Sequence, residues 1–395
     1  MRIHDTWFNG QRVDLDISDG HIQSVSSATP APRPEVLSGG MVCPHFAEPH
    51  VHLDATQLGA RRPNRSGTLF EGIDNWAVLR ASLDAEDVRA RALKTVRWYL
   101  AHGTSRIRTH VDTASRTAAA ALIALRDELT NPEVLGMPVQ IEVVAFPQEG
   151  ILTDPQREAD WREVVQMGCD AVGCIPHYES SHEAGDATVR MCFDLAEAHG
   201  LKVDLHCDET DDPAWRALLA VCDETERRGM GGRVVAGHCT AMHSWPDRLA
   251  EDACARVAGS GVQVVTNPLD NIVLQGRGDR YPKRRGLTRV DELWDAGAVV
   301  GIGHDSVVDP WYRLGTANML DPAYMLIHAG HLTGEAQMER VFRTLHSDNH
   351  MPFGKPPSLR PGASADFLWF TAPDPIEALR TRRPPRVFYR GKEIT

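Results

Sequence analysis

Through the middle of the chain, short runs of β-branched and apolar residues alternate with longer stretches of helical periodicity. The runs start near Phe46 (through Leu53), Ser105 (through Val111), Val139 (through Phe146), Ala171 (through Ile175), Val203 (through His206), Arg233 (through His238), Val262 (through Thr266) and Val299 (through His304). Helical stretches such as Ala85 to Leu100 and Ala214 to Arg228 fill the gaps. Strand and helix repeating in this way is the pattern of βαβ units in a parallel sheet, so the fold class is α/β. Eight units in about 300 residues is the count that closes a (β/α)₈ TIM-like barrel. The alternative is an open doubly wound sheet, but no Gly-x-Gly-x-x-Gly opens a helix after the first strand.

Both chain ends follow a different pattern. Thr6 to Val13 and Leu15 to Ile22 alternate like short strands around the hairpin signals Asn9-Gly10 and Asp19-Gly20. Ala365 to Phe370 and Arg386 to Lys392 read alike. The two ends are therefore expected to form one small β-sandwich module, residues 1–44 with 356–395, around a barrel of residues 45–355.

Apolar residues at 42% and charged residues at 24% fall within ordinary globular usage, which excludes a disordered or fibrous chain. The net charge of −12 argues against a nucleic-acid or anionic-membrane partner, either of which wants clustered Lys and Arg. With no apolar core of a secretory signal after Met1 and no run of about 18 apolar residues, the expectation is a soluble, cytoplasmic protein. Eight cysteines without a Cys-x-x-Cys pair read as reduced, buried thiols. Cys207 and Cys239, strand neighbours of His206 and His238, should face away from those histidines.

The candidate chemistry sits at strand ends. His50-Val51-His52 closes the first barrel strand, and the period of two puts both imidazoles on one face, here the barrel interior. Alone, a His-x-His pair says little, because histidines also serve as ordinary polar residues. His206 closes the fifth strand, His238 the sixth, and Asp305 follows the eighth, each at the carboxyl end where barrel active sites form. This mixture of nitrogen and carboxylate donors suits Zn²⁺ or Fe²⁺ with a position left for water.

Longer strings carry a resemblance. Pro49-His50-Val51-His52-Leu53-Asp54, His206-Cys207-Asp208-Glu209, Gly237-His238-Cys239-Thr240-Ala241-Met242-His243-Ser244 and Gly303-His304-Asp305 resemble the amidohydrolase superfamily, specifically bacterial cytosine deaminases. Further matches are Ser66 to Gly72, Phe146 to Gly150, Tyr281 to Gly286 and Asp309 to Tyr312, so the likeness covers nearly the whole chain. It implies that His50, His52, His206 and Asp305 ligate one divalent metal, Fe²⁺ or Zn²⁺. It implies that Glu209, His238 and Asp305 are catalytic and that Gln148 binds the substrate. The metal would lower the pKa of its water from about 15.7 towards 7, and the resulting hydroxide would attack the amino-bearing ring carbon of a nucleobase-like small molecule. Glu209 would shuttle the proton to the adjacent ring nitrogen. The planar amide of Gln148, one acceptor and two donors, matches the carbonyl and N–H edge of a pyrimidine. Trp311 would wall the pocket, with His110, His177, Glu71 and Lys283 in support. The resemblance further implies a homo-oligomer.

Binuclear relatives resembling dihydropyrimidinase need a carboxylated lysine ending the fourth strand. None of the five lysines (94, 202, 283, 355, 392) falls there, so one metal is expected. One departure stands out: typical members read His-Asp-Asp where this chain reads His304-Asp305-Ser306. A hydroxymethyl in place of a carboxylate would open space near ring carbon 5, so 5-methylcytosine should be used at least as well as cytosine, unless Ser306 merely caps a turn. Competing readings are deamination of another cyclic amidine or guanidine, such as isoguanine or creatinine, and a noncatalytic metal-binding barrel.

Overall fold

Eight parallel strands pair in sequence order into one sheet: Phe46–Val51, Thr104–Asp112, Gln140–Phe146, Ala171–Val172, Lys202–Cys207, Val234–His238, Gln263–Thr266 and Val300–Ile302. A bridge between Val51 and Asp305 joins the first strand to the segment after the eighth and closes the barrel. The computed structural model describes residues 1–28 and 37–394; residues 29–36, inside the expected amino-terminal module, and residue 395 lie outside the described residues.

Helices cover the barrel because their apolar stripes recur at helical spacing. Ala85–Ala101 starts where the Asp84 carboxylate accepts the N–H of Asp87, and it buries Val88, Ala92, Val96 and Tyr99 on one face. Two boundaries depart from the sequence expectation. The regular fourth strand is only Ala171–Val172, because Gly173 passes so close to the Asp204 carbonyl that a Cβ would stand 2.7 Å from its oxygen. The helix expected from Ala214 begins at Ala217, where the buried Asp208 carboxylate accepts the N–H groups of Ala217 and Leu218 at 3.0 Å. That capping leaves residues 209–216 as a loop over the barrel mouth.

Strands from both chain ends form a second eight-stranded sheet, with Met41–Cys43 pairing Phe367–Phe370 and Arg2–Phe8 pairing Gln11–Ser18. Its own core includes Ile3, Leu15, Ile22 and the stacked rings of Phe367 and Phe388. All eight cysteines are free and buried, and Cys207 and Cys239 lie in the barrel's hydrophobic core. Among the described residues no helix is long and apolar enough to cross a membrane.

Below the mouth, the barrel interior is ionic. The fully buried Arg108 donates to Asp204 at 2.9 Å and to Glu142 at 3.1 Å, while Lys202 donates to the other Glu142 oxygen at 2.7 Å. The second oxygen of Asp204 meets His110 Nε2 at 3.0 Å, and the His110 ring lies 4.1 Å from that of His50. Arg108→Met would strand two carboxylates without their partner, a loss of about 3–5 kcal/mol. We expect thermal unfolding several degrees lower; an unchanged midpoint would show that Lys202 and His110 suffice.

Candidate active site

The carboxyl ends of strands one, five, six and eight converge on one cleft. Backbone bonds fix their register: Asp305 N–H donates to the His50 carbonyl at 2.9 Å and His52 N–H to the Asp305 carbonyl at 3.2 Å. The buried Glu48 carboxylate accepts from the N–H groups of His50 and His304 and from the Tyr99 hydroxyl, binding strand one to strand eight. Three non-glycine residues at these strand ends, Asp208, His238 and Asp305, have φ of +49°, +68° and +67°. Such conformations cost about 1–3 kcal/mol each and persist where the surroundings dictate them, as sites of function do.

His50, His52, His206 and Asp305 meet here, all buried. His52 Nε2 stands 3.1 Å from His206 Nε2, and the Asp305 Oδ1 atom is 3.5 Å from His52 Nε2 and 3.7 Å from His50 Nε2. Donors bound about 2.1 Å from one ion stand about 3.0–3.4 Å apart, so these spacings fit a single divalent cation after small adjustment. Neither nitrogen of His50 has a hydrogen-bond partner. A buried orphan nitrogen is costly, and a cation is the partner that His50 Nε2, the nitrogen facing Asp305, lacks. Burial also pushes the Asp305 carboxyl well above its usual range, helped by the nearby Asp270. Among the described residues no Lys or Arg lines the cleft to offset that charge.

Two triads of donor atoms lie within 4.8 Å of one another, His50–His110–His206 and His50–His238–Asp305. The direct distances favour the set with His52 over either. His110 spends Nε2 on Asp204, and His238 accepts the Asn271 amide on Nδ1 at 3.0 Å, leaving its other nitrogen 3.9 Å from Asp305 Oδ2.

Glu209 lies in the loop that leaves the fifth strand, and its Oε1 atom is 3.4 Å from His238 Nδ1. Burial pushes its carboxyl up to about 8, so it holds a proton at neutral pH. Its own N–H donates to His177 Nδ1 at 3.3 Å, which gives His177 a supporting role. Burial lowers His238 well below its ordinary value, keeping the imidazole neutral, and the amide donor on Nδ1 places its proton on Nε2, facing Asp305.

Gln148, Ser306 and Trp311 line the same cleft. The Trp311 ring is 6.1 Å from that of His52, and it fits because Gly72 has no side chain; a Cβ there would come within 2.4 Å of the indole. Ser306 does not cap a turn: its hydroxyl hydrogen-bonds to the buried carboxylate of Asp270. The carboxyl absent at position 306 is thus present on Asp270, and burial with the nearby Asp309 pushes it well above the usual carboxylate range. Asp270 and the orienting Asn271 belong to the helix Pro268–Leu274 after the seventh strand, and the sequence reading missed both. Position after a barrel strand was the available signal, since it is the rule that pointed to His206, His238 and Asp305. Glu71 and Lys283 do not line the cleft: Glu71 accepts the N–H groups of Arg65 and Ser66 in its own loop, and Lys283 is exposed.

Comparison with known proteins identifies the family. A model described as the amidohydrolase family matches residues 142–394. The crystal structure of 5-methylcytosine deaminase from Klebsiella pneumoniae, liganded with 5-fluorocytosine, superposes with a TM-score of 0.93 at 36% identity, covering 100% of this chain and 97% of that one. A pterin deaminase of Rhizobium rhizogenes is 30% identical over 97% of this chain and 88% of its own length. The N-isopropylammelide isopropylaminohydrolase of Burkholderia multivorans has a TM-score of 0.80 at 26% identity, covering 99% of this chain and 97% of that one.

Proposed function

The chain belongs to the amidohydrolase family, and from that premise we propose that it hydrolytically deaminates cytosine or a 5-substituted cytosine such as 5-methylcytosine. The observation that carries the reading is the buried Glu209–His238 pair set 3.4 Å apart beside the convergent donors of His50, His52, His206 and Asp305. That pair has no use in a noncatalytic metal-binding barrel.

The four converging side chains would hold one divalent ion, Fe²⁺ or Zn²⁺, whose charge lowers the pKa of water from about 15.7 towards 7. The remaining work belongs to the chain. Asp305 is placed to take the proton that water loses when its oxygen adds to the amino-bearing carbon. His238, neutral and held by Asn271, directs its Nε2 proton towards the same point. Glu209 gives its proton to the ring nitrogen beside that carbon; the proton taken up by Asp305 then passes to the exocyclic amine, which leaves as ammonia, while the added oxygen returns its remaining proton to Glu209 and becomes the carbonyl. Gln148 reads the carbonyl and N–H edge of the ring. Trp311 and Leu69 supply apolar walls that exclude bulk water.

Ammonia release from cytosine, 5-methylcytosine, isoguanine, creatinine and pterin, with metal content measured in parallel, tests this function. Release from the cytosines above the other bases supports the reading. Activity confined to isoguanine, creatinine or pterin refutes it.

Ser306 carries a specific expectation. A hydroxymethyl there leaves room for a methyl on ring carbon 5, worth about 0.8 kcal/mol on burial. We expect kcat/KM for 5-methylcytosine to equal or exceed that for cytosine. Ser306→Asp, which fills the space with charge, should lower the ratio about tenfold, the scale on which a pocket distinguishes one carbon. An unchanged ratio in the variant would remove Ser306 from specificity.

A further inference from the structure

The wall that Ser306 shares with Asp270 holds more than a methyl-sized gap. Ser306 is 2% exposed and has one hydroxyl hydrogen, directed at Asp270 Oδ2. A second buried carboxyl, Asp309, stands nearby, and burial pushes it up to about 7. Asp270 is likewise 2% exposed and lines the cleft, and its Oδ1 atom has no partner. Asp309 does not pair with it: its Oδ1 atom is held by the N–H groups of Trp311 and Tyr312 at 2.9 Å, and its Oδ2 atom has no partner either. The wall therefore holds a buried carboxyl oxygen, Asp270 Oδ1, that no protein group pairs, and burial with the nearby Asp309 pushes that carboxyl well above its usual range.

We propose that Asp270, acting with Ser306, is a specificity-determining residue that selects a ring substituent bearing a hydroxyl, which can pair with that oxygen as donor or acceptor, as in 5-hydroxymethylcytosine. This rests on the deaminase reading above. A buried polar atom left unpaired by the ligand is penalised, so an apolar substituent of equal size is the disfavoured competitor. A methyl still fits the gap, but a hydroxymethyl fits it and also satisfies the free oxygen.

The test compares 5-hydroxymethylcytosine with 5-ethylcytosine, which matches it in size and lacks the hydroxyl. Calorimetric titration of the metal-loaded Glu209→Gln chain measures binding without turnover. We expect the hydroxymethyl base to bind at least about tenfold more tightly than the ethyl base. Adding Asp270→Val should erase that preference. Equal binding of the two bases to Glu209→Gln overturns the proposal, whether or not the double variant folds. So does a preference that survives Asp270→Val, or a loss shared equally by both bases, which would assign Asp270 to the amine they have in common. Ammonia release from 5-methylcytosine by the unaltered chain separates the two failures. Release without the preference overturns the role of Asp270 alone; no release from any cytosine overturns the deaminase reading and this inference with it.

Discussion

Glu209→Gln is expected to lower kcat on 5-methylcytosine by at least about a hundredfold, the usual scale for a positioned acid or base. The substitution keeps the shape of the side chain and its place opposite His238, so metal content and unfolding temperature should not change. What it removes is the proton that burial holds on the carboxyl, with its raised pKa of about 8. An amide cannot deliver a proton to the ring nitrogen, so addition of water would have to proceed against the full charge on that nitrogen. KM should move less than kcat, because the loss is felt mainly at the transition state. Near-normal turnover would remove Glu209 from the mechanism.

The second large effect concerns the donors. His206→Ala and Asp305→Ala are each expected to deplete bound metal, read by elemental analysis after dialysis, while circular dichroism stays that of the folded barrel. The fold persists because its core is packed by apolar side chains outside the strand ring and by Arg108 below the mouth. Removing His206 also relieves the 3.1 Å approach of its Nε2 to His52, an arrangement of two buried nitrogens that has little value without a cation between them. Full metal occupancy in both variants would contradict the donor assignment.

The barrel was legible because its strands are nearly continuous apolar runs separated by amphipathic helices, a pattern that parallel sheets covered on the outside must show. The period of two placed His50 and His52 on one face, and the rule that function gathers at strand carboxyl ends found His206, His238 and Asp305. Local chain direction was less legible. The delay of a helix start to Ala217 comes from the Asp208 carboxylate reaching forward to cap it, a contact that no propensity encodes. Asp270 and Asn271 escaped because they lie on a short helix whose orientation depends on the loop that follows Thr266. Glu71 looked like a site residue from its neighbouring motif, but it is used up in capping the turn at Arg65 and Ser66. The carboxyl that Ser306 lacks is present on Asp270, and only three-dimensional proximity shows it.

The central claim is a deaminase whose activity depends on one divalent ion. Its most direct measurement is ammonia release from 5-methylcytosine by chelator-stripped protein titrated with Zn²⁺ or Fe²⁺. The account predicts no release from the stripped chain and a rise that saturates at one ion per chain. Undiminished release after complete chelation, or no release from 5-methylcytosine or cytosine with one ion of either metal bound, would contradict it.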